Sequence, residues 1–135
     1  MIHRWSPSEI APPIGPYSHL AAVPPGLTTI AIAGQIGARP DGELVGADAE
    51  RQTQQLLANL ESVLAAAGGG PRHLVRLFAM VAGREHLPGY RAGLSGWLST
   101  WFPGGDFPAQ SLVLVVGLAR PEIVVEVEAT AAVPG

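Results

Sequence analysis

The chain has 135 residues, no cysteine, 47% hydrophobic residues and a net charge of -3. These values predict a single domain over residues 1–135 and exclude disulfides, thiol catalysis and thiolate metal sites. Charged residues are only 14% of the chain, against roughly 25% in typical soluble domains, so a buried interface between copies of the chain is expected.

All eight basic residues are arginines and they are scattered, which gives no electrostatic footprint for nucleic acid. No apolar run reaches the roughly 18 residues of a membrane span. Met1 to Trp5 lack an apolar signal core, so a cytoplasmic location without membrane association is expected.

Residues 1–16 carry Pro7, Pro12, Pro13 and Pro16 and should be extended or turned. Ser18–Val23 and Thr28–Ala33 read as strands around a Pro24-Pro25-Gly26 turn, which predicts a hairpin. Glycines on either side of Gln35 predict a bulge or a close backbone approach, and Pro40-Asp41-Gly42 marks another turn. Asp48 is placed to N-cap a helix from Ala49 to about Ala67. That helix carries a stripe of Gln52, Leu56, Leu60, Val63 and Leu64, and Gly68-Gly69-Gly70-Pro71 ends it.

Leu74–Ala82 is a predicted strand with apolar residues on both faces, which implies burial on both sides. A second helix follows, with Pro88 in its first turn and a face of Leu87, Tyr90, Leu94, Trp97, Leu98 and Trp101. The two tryptophans are expected as core or interface anchors. Strands over Ser111–Val116 and Ile123–Val133 complete a β-β-α-β-α-β-β order. The fold class is α+β, with two helices on one face of a mixed sheet.

Phosphate-binding loops, dinucleotide fingerprints and nucleophile elbows are absent, and the four histidines show no ligand spacing. Neither a metal nor another cofactor is implied. In the last strand Glu126, Glu128 and Thr130 share one face with Val124, the carboxylates lying roughly 6.5 Å apart along the strand. Val125, Val127, Ala129 and Ala131 point toward the helices. If a neighbouring subunit covers the glutamate face, a carboxylate there needs a partner or becomes a proton carrier. Gln110 stands where the loop ending Phe107-Pro108-Ala109 hands over to a strand, a junction suited to a binding group.

Five segments in order resemble the RidA (YjgF/YER) family: Ile14-Gly15-Pro16-Tyr17-Ser18, Ala33-Gly34-Gln35-Ile36, the Gln52-Thr53 to Asn59-Leu60 helix, Phe107-Pro108-Ala109-Gln110-Ser111 and Val125-Glu126-Val127-Glu128-Ala129. The resemblance implies a chorismate-mutase-like fold and a homotrimer with a small-molecule ligand in each intersubunit cleft. It also implies hydrolysis of enamines or imines to a 2-keto acid and ammonia without metal or cofactor. The family's site residues match Tyr17, the Ala33-Gly34 and Ile36 backbone, and Glu126, which is expected to activate water. Its serine is Ala33 here, and its second-helix asparagine aligns with Ser95 across a longer loop.

The family's carboxylate-gripping arginine is Gln110 in this chain. Replacing two charge-assisted bonds by neutral ones lowers affinity for an anion about tenfold to a thousandfold. With Glu126 nearby, the pocket is expected to be net acidic and general 2-imino-acid deamination weak or absent. Arg76 or Arg120 could restore the charge only by pointing into the cleft. The alternatives are a non-catalytic metabolite-binding or regulatory trimer and a ribonuclease, the latter disfavoured by the charge.

Overall fold

The computed structural model describes all residues, 1–135. The strands are β1 (His3–Trp5), β2 (Leu20–Ala22), β3 (Leu27–Gln35), β4 (Leu74–Val81), β5 (Ala109–Leu114) and β6 (Val125–Pro134). The helices are α1 (Ala49–Ala66) and α2 (Leu87–Trp101). The main sheet has the order β3-β6-β4-β5, antiparallel except for the parallel β4–β5 pair.

Asp48 caps α1 as expected, accepting from the Arg51 N–H at 2.8 Å. The capping carboxylate satisfies an amide left free in the first turn. Leu56, Leu57, Leu60 and Leu64 of α1 meet Leu87, Tyr90, Leu94 and Leu98 of α2 over Leu77, Ala79, Val81, Val125, Val127, Ala129 and Ala131 of the sheet. This one-sided packing makes the core. Trp97 and Trp101 pack at its margin with ring centroids 5.5 Å apart, and Trp101 Nε1 donates to Glu61 at 3.1 Å.

Three details differ from expectation. The turn at Gly26 forms, with φ +92°, but β2 pairs antiparallel with β1 in a separate two-stranded sheet, so β2 and β3 are not a hairpin. β1 is anchored through Arg4, whose guanidinium donates to the carbonyls of Leu74 and Arg72, each at 2.7 Å, and meets Asp106 at 3.3 Å. The second face of β4 is not covered within the chain: Phe78 and Met80 are half-buried and Arg76 is exposed. Val124 precedes β6 and is buried, its N–H donating to Gln52 Oε1 at 3.1 Å. No helix is long and apolar enough to cross a membrane.

Candidate functional site

The segment Ile14–His19 is laid along the start of β5. The Ser18 N–H donates to the Pro108 carbonyl at 3.1 Å, and Ser18 bridges Ala109 in parallel. Tyr17 is braced there: its hydroxyl accepts from the Ile14 N–H at 3.3 Å, and its ring meets the His19 ring edge-on at 5.7 Å. Between this segment, α2 and the entry to β5 lies a cavity of about 800 Å³, whose wall includes Tyr17, His19, Arg76, Tyr90, Arg91 and Gln110.

Gln110 is partnered across from Leu77, which turns it to the helix side of the sheet. Its Nε2 donates to the Tyr90 hydroxyl at 2.7 Å. Burial pushes the Tyr90 phenol well above its ordinary range, the Gln110 bond acting in the opposite direction, so this phenol stays neutral. Gln110 is therefore a fixed, neutral contact and not a solvated flank.

Two arginines stand in the cavity wall. Arg76 from β4 and Arg91 from α2 both line it, and no carboxylate does. The wall that one chain contributes is therefore cationic, and Glu126, the carboxylate expected in the cleft, lies outside it. Arg120 does not line it and pairs with Glu122 at 3.3 Å. Ser95 is exposed on α2 and also lies outside the cavity wall, where Arg91, one helical turn earlier, and Leu94 stand. Arg91 is the functional candidate that sequence reasoning missed.

Glu126 lies elsewhere. It pairs with Met80 on the open face of the sheet, and its carboxylate occupies the place a side chain on Gly34 would take. The register shift between Ile32 and Gln35 brings Gly34 to it, which accounts for that glycine, while Gly37 lies against the α1 backbone at Gln52. Gln35 Nε2 donates to the Ala33 carbonyl at 3.0 Å, and Asn59 Nδ2 holds the Ile36 and Ala38 carbonyls at 3.1 and 2.8 Å. Ala33, Gly34, Ile36 and Glu126 thus form one group and Tyr17 with Gln110 another. The first lies at the β3–β6 side of the sheet, the second at the opposite edge, β5.

Neither Glu126 nor Glu128 is ion-paired within the chain. No cluster of three or more His, Asp or Glu side chains is assembled for a metal.

Comparison with known proteins agrees with this architecture. A family model described as Endoribonuclease L-PSP matches residues 8–133. The RutC family protein PH0854 of Pyrococcus horikoshii is 33% identical over 126 residues, covering 92% of this chain and 93% of the relative. A Yersinia pestis protein, YyfB, described as of unknown function in the conserved Rid family, superposes with a TM-score of 0.84 at 37% identity, covering 98% of both chains. A Thermotoga maritima structure described as a putative endoribonuclease gives a TM-score of 0.67 at 30% identity, over 98% of this chain and 99% of that one. The chain belongs to the RidA/YjgF family, whose model carries the Endoribonuclease L-PSP description.

Proposed function

We propose that this chain forms a homotrimer and hydrolyses a C–N bond of an enamine, imine or amide-like metabolite, without a cofactor, in clefts between subunits. The observation that carries this reading is the division of the site between opposite edges of one sheet. Tyr17 and Gln110 stand at the β5 edge, while Gly34 and Glu126 stand beside the β3 edge. Apposing the β5 edge of one copy to the β3–β6 side of the next would unite them. Such a head-to-tail contact closes into a ring when its rotation permits. The exposed Leu112, Val113 and Leu114 on β5, with half-buried Phe78 and Met80 on β4, supply apolar surface for it.

In the united cleft, Glu126 removes a proton from water as the oxygen attacks the carbon of the C=N bond. Glu126 returns that proton to the nitrogen, giving a carbinolamine. Glu126 then takes the carbinolamine O–H proton and passes it to the nitrogen as the C–N bond breaks and C=O forms, so that both protons leave with ammonia. Gln110 and the backbone amides near Ile36 hold a polar group of the substrate. With Gln110 in place of a guanidinium, the strand offers no bidentate carboxylate grip, so general 2-imino-acid deamination is weak.

The test is ammonia release from freshly generated 2-iminopropionate. Wild type is expected to turn over slowly and Gln110→Arg faster, by about tenfold or more. Robust wild-type turnover would defeat the claim that Gln110 changes the substrate class. Ligand-induced thermal stabilisation that Glu126→Gln leaves intact, with no turnover of any imine tried, would favour a metabolite-binding trimer instead.

A further inference from the structure

We infer that the cavity at the β5 edge is an anion site whose charge comes from Arg91 on α2 and Arg76 on β4. A small carboxylate-bearing ligand is then held from outside the strand that carries Gln110. The inference rests on the reading that this cavity receives the metabolite, and it names the ligand's charge and the groups that select it.

Three observations converge. Arg76 and Arg91 line the cavity with His19, and the same chain places no carboxylate in its wall. Neither arginine is ion-paired in the fold: the bridges run Arg4–Asp106, His86–Glu85 and Arg120–Glu122. The chain as a whole carries a net charge of -3, so this cationic wall stands against the overall balance. An unpaired guanidinium fork is a ready partner for a carboxylate through two parallel hydrogen bonds.

The two arginines reach the cavity from different sides. Arg76 is partnered with Ala109 on the open face of the sheet and lies over the Phe78 ring, 5.1 Å from its centroid. Arg91 comes from the helix side, where Gln110 is tied to Tyr90. Gln110 lines the same cavity and is neutral. An anion anchored on Arg91 and Arg76 is held from α2 and β4 and not from position 110 on β5. Binding of a small 2-keto or 2-imino acid and its turnover therefore part company: the acid binds, yet its C–N bond is not presented to Glu126 as a strand arginine would present it.

The test uses pyruvate and its neutral amide, pyruvamide, as probes in calorimetric titrations of the full chain. Wild type should bind pyruvate more tightly than pyruvamide, and added salt should weaken pyruvate alone. Arg91→Gln combined with Arg76→Gln should weaken pyruvate about tenfold to a thousandfold and leave pyruvamide unchanged, which also reports that the cavity is still folded. Arg91→Lys, which keeps charge but not the fork, should recover part of the affinity.

Equal affinity of wild type for the two probes, or no pyruvate binding at all, overturns the inference. So does pyruvate binding that survives the double substitution. If Tyr17→Ala abolishes that surviving binding, the cavity reading stands and only the assignment of the arginines falls. If Tyr17→Ala has no effect on it, the cavity reading falls as well.

Discussion

At the scale of single residues, the informative side chains are buried polar groups whose partners are fixed by the fold. His73 is an example. It is buried at the end of the short turn Pro71–His73, and its Nδ1 accepts the Gly70 N–H at 3.0 Å. Burial first, then Arg72, and more weakly Arg4 and the N-terminal amine, lower its pKa. The folded state therefore holds the neutral ring, whereas the unfolded chain takes up a proton as pH falls through about 6.5. Below that pH the unfolded state binds more protons, so stability falls with pH until the depressed folded pKa is passed. His73→Asn, which can keep an acceptor for Gly70 without titrating, should flatten this slope. Urea midpoints of wild type and variant between about pH 7 and 5 should converge as pH falls. Parallel midpoints across that range would show that His73 does not set the slope.

At the scale of elements, one side chain ties a helix to two loops. Gln52 reads in the sequence as part of the apolar stripe of α1, and it is fully buried. Its Nε2 donates to the carbonyls of Gly46 and Glu122, both at 2.9 Å, and its Oε1 accepts from Val124. It thus fixes the entry to α1 and the approach to β6, two residues before Glu126. Gln52→Leu conserves bulk but leaves a buried N–H and two carbonyls without partners, a loss of about 2–3 kcal/mol. Chemical denaturation at fixed protein concentration, with an unchanged m-value, measures it. A loss below about 0.5 kcal/mol would mean that water replaces all three bonds.

The same scale shows what was legible in the sequence. α1 was readable from the Asp48 cap to its glycine stop, and the bulge from the glycines around Gln35, because those signals are local. The partner of β2 was not, because a three-residue strand pairs with whatever the long-range fold brings beside it, and β1 lies in a proline-rich stretch with no strand pattern. Arg91 left a faint signal: it follows Tyr90, whose buried hydroxyl requires a partner, and precedes Leu94 by three residues, at the border of the buried stripe. Sequence could match Gln110 and Glu126 to one family site. It could not show that they stand toward opposite edges of the sheet, since that separation appears only when the strand order β3-β6-β4-β5 is known.

At the scale of the whole molecule, that separation makes a quantitative prediction about assembly. If each cleft takes its β5 half from one subunit and its β3–β6 half from the next, lesions in the two halves complement when placed on different chains. Tyr17→Ala damages only the β5 half, and Glu126→Gln only the other. Each variant alone should be inactive toward an imine that wild type turns over. Unfolded together in equal amounts and reassembled, they should form mixed rings. A cleft is intact when its β5 half comes from the Glu126 variant and its other half from the Tyr17 variant, each with a chance of one half. About one quarter of the sites should therefore recover, whatever the order of the subunits around a closed ring. Activity near one quarter of wild type, appearing only after co-refolding and not on mixing folded proteins that exchange slowly, would establish the shared cleft. If instead Tyr17 and Glu126 served the same cleft from the same chain, every site would carry a lesion. Complete absence of recovery, with mixed oligomers demonstrated by mass spectrometry, would therefore rule out the head-to-tail arrangement.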